Sequence, residues 1–456
     1  MAFESIDPAT GQRLASFPAL TREQIRAALD LARDAFAEWR LVPPERRVEP
    51  LRRLAETLLR GKQAFARLMS REMGKPLAAA EAEVAKCAWV ARHYADTAPA
   101  ALAPEVLDVG PARCRVERHP LGAVLAVMPW NFPFWQVIRC AAPTLAAGNV
   151  ILLKHAPNVP QCGIALEGLF ARAGFPRGVF QNMFARVGDV PAILDDPIVQ
   201  AASLTGSVGA GAALAGEAGR RVKRTVLELG GSDPFIVLSG ADLDQAVSTG
   251  VAARMMNSGQ SCIAAKRFLI HQDIASEFEA RFVEQVRALC VGGPLDPATE
   301  VGPLARRDIR DLVAEQVRES VQAGARLATG GRIPDRTGWY YEPTVLADVP
   351  GGCPAAEEEI FGPVASLRCV ESLEEAIEVA NGTEFGLSAS VWTNDPEEAA
   401  LAVRDIEAGG VFVNAMSASD PRVPFGGIKK SGYGRELGAE ALREFVNLKT
   451  VWTNPS

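Results

Sequence analysis

Apolar residues recur at helical spacing over the first hundred residues of the chain. Thr21 is a suitable helix N-cap, with Gln24 three residues later, and apolar positions then return on one face as far as Phe36. Pro43-Pro44 and Gly74-Lys75-Pro76 interrupt this pattern. The pattern therefore predicts several amphipathic helices between residues 21 and 100.

After residue 120, short apolar runs alternate with amphipathic stretches. Strand and helix in alternation are typical of parallel βαβ units. The predicted order is strand 122–128, strand 149–153, helix 159–173, strand 199–204, helix 210–220, strand 234–238, helix 243–256, strand 267–271, helix 275–289, strand 364–370, helix 373–380, strand 388–392, helix 396–406 and strand 410–414.

These elements predict an α/β fold with two parallel-sheet domains and a small β arm. We expect the domains to be residues 1–229 and 230–423, with residues 424–456 returning to the first domain. The arm falls within residues 105–120, where Arg113–His119 alternates in character and could pair with Phe445–Trp452. Because two strands alone are unstable, we expect another subunit to complete the arm in a homodimer or homotetramer.

Composition excludes several classes of protein. The 456 residues are 48% hydrophobic and 23% charged, with a net charge of −7, which disfavours a nucleic-acid partner. The eight cysteines lack CxxC spacing and the four histidines are scattered, so we expect no metal site and a reducing, cytoplasmic location. We expect no signal peptide and no membrane span, because neither apolar pattern is present.

Cys262 and Glu228 are the residues most suggestive of chemistry. Cys262 ends the polar run Ser258-Gly259-Gln260-Ser261, and Glu228 ends an apolar strand before Gly230-Gly231. A thiol that forms an acyl intermediate and a carboxylate that later activates water are the parts of covalent acyl chemistry. A buried structural cysteine and a solvated strand-end glutamate are the alternatives.

Three further segments fit this chemistry. Asn131, in a proline-bracketed turn after a strand, could donate its amide N–H to an oxyanion, although asparagine also favours turns. Lys154 ends a predicted parallel strand, at the edge where ligands bind, although it could equally be solvated. The string 204–211 opens a helix and suits a pyrophosphate, but it lacks the third glycine of the dinucleotide-binding fingerprint.

Taken together, the motifs closely resemble the aldehyde dehydrogenase superfamily over nearly the whole chain, and within it the NAD(P)-dependent succinate-semialdehyde dehydrogenases. The number and order of the matching strings make the resemblance highly specific. They are PWNFP (129–133), LLKHAPN (152–158), LTGS (204–207), LELGG (227–231), GQSC (259–262), EEIFGP (358–363) and PFGGIKKSGYG (424–434).

The resemblance implies a role for each motif. Cys262 would attack the aldehyde, Asn131 and the Cys262 N–H would hold the oxyanion, and Glu228 would activate water against the thioester. Residues 1–229 would form the cofactor domain and residues 230–423 the catalytic domain. The cofactor would contact Trp130, Lys154, Gly206, Ser207, Leu229, Glu359 and Phe361.

One departure bears on the cofactor. Many NAD-preferring members carry a glutamate three residues after the lysine, which bonds the adenosine ribose, whereas this chain has Pro157. Without that carboxylate, nothing at this position repels a 2′-phosphate, and Lys154 could attract one. We therefore expect NADP to be preferred over NAD.

The substrate implied by the resemblance is succinic semialdehyde. Arg139 matches the arginine that binds its distant carboxylate, and Ser419 matches an assisting serine. Met256 occupies the position of a second arginine found in some of those enzymes, with Arg254 two residues earlier. A broad-specificity aliphatic aldehyde dehydrogenase and a catalytically silent member are the alternatives; a coenzyme-A-dependent enzyme is disfavoured because Glu228 is present.

Overall fold

The N-terminal third of the chain is helical, as its periodicity predicts. A computed structural model describes residues 2–110 and 112–454. The first helix begins with a capping box, because the Gln24 N–H donates to Thr21 Oγ1 at 3.2 Å and the Gln24 side chain accepts from the Thr21 N–H at 2.8 Å. The elements are β1 (Ala2–Ile6), β2 (Arg13–Pro18), α1 (Arg22–Trp39), α2 (Pro44–Arg47), α3 (Glu49–Arg60), α4 (Lys62–Met73), α5 (Leu77–Leu102), β3 (Glu105–Val109) and β4 (Ala112–Pro120).

A first parallel sheet follows, in the spatial order β9-β8-β5-β6-β7. Its central strands are buried on both faces, which explains their continuous apolar sequence. The elements are β5 (Ala123–Met128), α6 (Trp135–Ala146), β6 (Val150–His155), α7 (Pro160–Arg172), β7 (Phe180–Asn182), α8 (Val190–Asp195), β8 (Val199–Thr205), α9 (Val208–Gly219) and β9 (Arg224–Glu228).

A second sheet has the order β12-β13-β14-β11-β10-β16-β17, with only β12 antiparallel to its neighbour. Separate apolar cores pack on its faces. The elements are β10 (Pro234–Val237), α10 (Leu243–Met255), β11 (Arg267–His271), α11 (Gln272–Ala288), α12 (Arg307–Gln322), β12 (Arg326–Thr329), β13 (Thr344–Ala347), α13 (Pro354–Glu357), β14 (Val364–Val370), α14 (Leu373–Asn381), β15 (Phe385–Gly386), β16 (Ser388–Trp392), α15 (Pro396–Asp405) and β17 (Gly410–Val413).

The C-terminal segment contributes a strand to each of three different sheets. It comprises β18 (Ile428–Lys429), β19 (Gly432–Tyr433), α16 (Ala441–Glu444) and β20 (Val446–Thr453). β18 pairs with β15, β19 adds an antiparallel edge to β9, and β20 pairs with β4 in a three-stranded sheet of order β20-β4-β3.

The expected α/β fold with two parallel sheets and a small β arm is confirmed. The arm has one strand more than expected, because β3 pairs with the edge of β4 opposite β20. Helix α12 and strands β12 and β13 were not predicted, since they lie in a region of short or strongly polar runs. The domain limits at 229/230 and 423/424 stay a prediction. No helix within the described ranges is both long and apolar enough to span a bilayer.

Asn149 ties the C-terminal segment to the first sheet. Its buried Oδ1 accepts the N–H groups of Leu121 at 2.8 Å and Gly122 at 3.1 Å, and its Nδ2 donates to the Phe445 carbonyl at 2.9 Å. Asn149 lies between α6 and β6, and its side chain thus satisfies two backbone groups just before β5 and one just before β20.

Asn149→Ala is expected to lower the free energy of unfolding by about 2–4 kcal/mol, because buried backbone groups lose their partners. Urea unfolding followed by circular dichroism would measure the loss. Asn394→Ala is the control, since Asn394 is exposed in the loop before α15. Equal midpoints for the two variants would contradict the role given to Asn149.

Candidate active site

Cys262 follows a tight turn at the end of α10, and the backbone of this turn has an uncommon conformation. Asn257, Ser258 and Gly259 all have positive φ angles, of 55°, 57° and 75°. A Cβ at Gly259 would lie 2.2 Å from the Gly362 carbonyl oxygen, so only glycine fits this close approach. A left-handed run that includes two residues other than glycine is costly, and such strain is concentrated at functional sites.

Buried side chains hold this turn in place. The Asn257 amide donates to the carbonyls of Asn131 at 2.8 Å and Gln260 at 3.0 Å. Arg254 donates to the Ile360 carbonyl at 3.0 Å and to that of Gly362. These bonds fix the turn between the segment that follows β5 and the segment before β14.

Lys266 braces the residue that carries the thiol. Its Nζ donates to the Cys262 carbonyl at 2.6 Å and the Ser261 carbonyl at 3.0 Å, and lies 3.3 Å from Glu359 Oε1. Glu359 Oε1 also accepts the Gly231 N–H at 3.2 Å. The Lys266 ammonium group therefore contacts both the backbone at Cys262 and Glu359, a predicted cofactor residue.

The Cys262 side chain is half-buried, and its surroundings oppose ionisation. Burial raises the pKa of the thiol to about 12, although the charges of Lys266 and Arg139 act in the opposite direction. The backbone N–H of Cys262 makes no hydrogen bond within the described residues and is available to an incoming oxygen.

Asn131, the predicted oxyanion donor, lines one cavity together with Cys262. Its side chain is buried, and Nδ2 donates to the Gln260 carbonyl at 3.1 Å. An amide nitrogen carries two hydrogens, so one remains for a ligand. The turn after β5 thus brings an amide donor to the cysteine turn, more than a hundred residues away in sequence.

Two cavities meet at Cys262 and Gln136, which line both. One has a volume of about 370 Å³ and the other about 250 Å³. The larger is lined by the predicted cofactor residues Trp130, Gly206, Ser207, Leu229, Glu359 and Phe361, and by Asn131. The smaller is lined by Ala79, Ala82, Glu83, Lys86, Phe132, Trp135, Arg139, Met256, Asn257, Ser261, Ile263, Ser419 and Phe425.

The larger cavity has features suited to a dinucleotide. Ser207 caps α9, a 12-residue helix whose N-terminus opens on the cavity, and its Oγ accepts the Ala210 N–H at 3.3 Å. Trp130 and Phe361 meet edge to face, with ring centroids 5.7 Å apart. Free helix N–H groups and aromatic walls can hold a phosphate and a planar ring.

Lys154 lies at the carboxyl end of β6, opposite Val127 of β5, and does not line either cavity. Burial lowers its pKa, and Asp189 opposes that shift. Lys154 forms no ion pair with another described residue. Pro157, at the position where a glutamate would favour NAD, is exposed. A buried cation without a carboxylate partner fits an anionic ligand such as a phosphate.

Glu228 is buried and also lies outside both cavities. Its Oε1 has no hydrogen-bond partner among the described residues, and a Cβ on Gly426 would lie 2.6 Å from it. Burial raises the pKa of Glu228 well above its usual value; Arg139 opposes this shift and Glu436 adds to it. Burial in this position therefore favours the neutral form of the carboxyl.

The predicted substrate residues are brought together in the smaller cavity. Arg139 and Ser419 both line it, whereas Arg254 is fully buried on backbone carbonyls and Met256 occupies the wall. The Arg139 guanidinium is also buried, and its Nε contacts Glu436. No second arginine therefore lines this cavity.

Sequence reasoning missed Gln136, Lys86 and Lys266. Lys86 lies on the same face of α5 as Ala79, Ala82 and Glu83, because these residues precede it by three, four or seven positions. This spacing is visible in the sequence, but it points to the cavity only once α5 is known to pack against α6. Within residues 2–110 and 112–454, no group of three or more potential ligands is arranged to hold a metal ion.

Comparison with known proteins identifies relatives along the full chain. The model of the aldehyde dehydrogenase family matches residues 1–451. A probable succinate-semialdehyde dehydrogenase (NADP+) of Synechocystis sp. is 51% identical over 452 residues, covering 99% of this chain and 100% of that protein. Succinate-semialdehyde dehydrogenase (NADP+) 1 of Mycobacterium tuberculosis is 50% identical over 455 residues, covering 99% and 100%.

A solved structure gives the same result. Succinic semialdehyde dehydrogenase from Streptococcus pyogenes, in complex with NADP+, superimposes with a TM-score of 0.97 at 35% identity and covers 100% of both chains. Sequence and fold agree, and this chain belongs to the aldehyde dehydrogenase family.

Proposed function

We propose that this protein oxidises succinic semialdehyde to succinate with NADP+. The observation that carries the proposal is the position of Cys262 at the junction of two cavities, one suited to a dinucleotide and the other lined by cationic side chains. The names of the relatives at about 50% identity support the same substrate and cofactor. NAD is the second cofactor expected to be accepted.

In the proposed reaction the Cys262 thiol loses its proton to solvent as its sulfur adds to the aldehyde carbon, and the carbonyl oxygen becomes the oxyanion of a thiohemiacetal. The developing oxyanion accepts from the Cys262 N–H and the remaining Asn131 amide hydrogen, an arrangement that contributes about 10²–10³-fold to such steps. An oxidised nicotinamide held in the larger cavity, against Trp130 and Leu229, would supply the acceptor for the hydride that leaves this carbon. The carbon then remains attached to sulfur as a thioester.

Residues of the larger cavity fit that cofactor. The α9 N-terminus and Ser207 would hold a phosphate, and Glu359 would accept hydrogen bonds from a ribose hydroxyl. Lys154, which lacks a carboxylate partner, would attract the 2′-phosphate that distinguishes NADP from NAD. Trp130 and Leu229 supply apolar walls.

Hydrolysis of the thioester needs a base near sulfur, and Glu228 is the proposed one. Because Glu228 lines neither cavity, its side chain must rotate toward Cys262 before it can activate water. The high pKa caused by burial makes the carboxyl a strong base once it is deprotonated. Water then attacks the thioester carbon, the C–S bond breaks and the Cys262 thiol is restored.

We also propose a homodimer or homotetramer that forms through the arm, in the cytoplasm. The arm sheet β20-β4-β3 exposes large apolar side chains, with Val106 79% and Leu448 58% exposed. Apolar groups displayed on a sheet of three strands are typical of a surface covered by another chain.

Cys262→Ala is expected to reduce the rate of reduced-cofactor formation at least about 10⁴-fold, because no other group can hold the acyl intermediate. Absorbance at the reduced-cofactor band would measure it with succinic semialdehyde, while calorimetry should find NADP binding retained. Cys369→Ala, which alters an exposed thiol, is the control. Substantial turnover in Cys262→Ala would refute the proposed chemistry.

Glu228→Gln is expected to slow hydrolysis about 10²–10⁴-fold while leaving the first turnover fast, because only the second half-reaction needs the base. Stopped-flow absorbance should therefore show a burst of about one reduced cofactor per active site. Glu319→Gln, on the exposed face of α12, should turn over normally. A variant without a burst would place Glu228 in the first half-reaction instead.

Pro157→Glu is expected to reduce kcat/KM for NADP at least about tenfold and leave that for NAD nearly unchanged, because a carboxylate would repel the 2′-phosphate. Steady-state kinetics with both cofactors would measure the ratio. Pro157→Gln has the same size without the charge and should keep the NADP preference. A wild-type enzyme that prefers NAD would contradict the cofactor assignment.

A further inference from the structure

Lys86 places a cation in the smaller cavity that the proposed mechanism does not use. It lies on α5 and lines the cavity together with Cys262, Arg139 and Ser419, but it does not line the cofactor cavity. Its position on the face of α5 that carries Ala79 and Ala82 leaves space for a ligand in front of the ammonium group.

The contacts of Lys86 orient the ammonium without neutralising it. Nζ donates to Ser419 Oγ at 2.7 Å and lies 4.5 Å from the centre of the Trp135 ring. No carboxylate of the described residues lies within ion-pair distance of Nζ. An ammonium group has three hydrogens, so at least one stays free for an anion.

Burial, more than any neighbouring charge, determines the state of the Lys86 ammonium group. Burial lowers the pKa of Lys86 to about 8; Arg139 adds to this shift, and Asp420 and Glu83 oppose it. At pH 7 the ammonium is therefore still protonated but poorly solvated. A carboxylate that enters the cavity would replace part of the lost hydration.

Arg139, by contrast, already lies against a carboxylate. Its Nε contacts the buried Glu436 carboxylate, its guanidinium lies 4.9 Å from the centre of the Phe425 ring, and one terminal nitrogen is 3.5 Å from Thr205 Oγ1. An ion pair with a buried carboxylate compensates its charge, and the side chain is 2% exposed. The Arg139 charge is thus shared with Glu436, whereas the Lys86 ammonium has no carboxylate partner among the described residues.

We infer that the Lys86 ammonium, together with the Ser419 hydroxyl, binds the distant carboxylate of the substrate and makes the enzyme selective for short aldehydes that end in an acid. This inference rests on the proposed function and deepens it. Met256 lines the cavity at the position where some succinate-semialdehyde dehydrogenases carry a second arginine. Lys86 supplies a positive charge to the same cavity from α5. Ser419 serves both as the Lys86 acceptor and as a donor to the ligand.

The test compares succinic semialdehyde with butanal, which has the same four carbons but no carboxylate. Lys86→Met keeps the length and apolar stem of the side chain and removes the charge. It is expected to lower kcat/KM for succinic semialdehyde at least about tenfold, mainly through KM, because a charge-assisted hydrogen bond is lost. The value for butanal should change less than about threefold, which also shows that the variant folds.

Two further variants sharpen the comparison. Lys86→Arg keeps the charge and should restore part of the selectivity. Lys62→Met alters a lysine of α4 that pairs with Glu81 outside the cavity, and it should leave both substrates unaffected. Inhibition of butanal oxidation by succinate gives a binding readout, and Lys86→Met should weaken this inhibition at least about tenfold.

The outcomes separate the inference from the function on which it rests. If the wild-type enzyme does not prefer succinic semialdehyde over butanal, the proposed substrate is wrong and the inference fails with it. If the wild-type preference exists and Lys86→Met keeps it, the substrate stands and the inference about Lys86 is overturned. Equal losses for both aldehydes in Lys86→Met would assign Lys86 a structural role and also overturn it.

Discussion

The left-handed turn at Asn257–Gly259 is the constraint on which the site depends. Two residues other than glycine hold positive φ there, and Gly259 packs directly on the Gly362 carbonyl. Such a turn persists only when its surroundings determine it fully. Here Arg254 and the Asn257 amide bind carbonyls on both sides of the turn, and as a result the Cys262 sulfur lies where the two cavities meet.

Burial sets the electrostatics around that sulfur. It raises the pKa of the Cys262 thiol to about 12 and the pKa of the Glu228 carboxyl well above its usual value, so burial favours the neutral form of both groups. Glu228 lies apart from both cavities, so the base proposed for hydrolysis does not contact the thiol in this structure. The neighbouring cations differ in availability, because Arg139 is paired with Glu436 whereas Lys86 is bonded only to a hydroxyl and an aromatic face.

Much of the fold was predictable because its signals are local. The alternation of apolar runs and amphipathic stretches predicts most strands of both sheets, and the pairing of residues 113–119 with 445–452 follows from their alternation. The region that holds α12, β12 and β13 was missed, since short strands and a polar helix carry little periodic signal. For the candidate site, the sequence predicted residues that stand in contiguous motifs, and it did not indicate the single residues Gln136, Lys86 and Lys266.

The sequence by itself determined the kinds of groups available: a thiol, an amide and a carboxylate in recognisable motifs, and a proline where a glutamate would favour NAD. Only the tertiary structure decided which groups meet and which charges are already compensated. Glu436 lies almost three hundred residues after Arg139 yet contacts it, and Ser419 is still farther from Lys86. Such contacts arise from the packing of whole elements, and local sequence carries no record of the partner that a buried charge will meet.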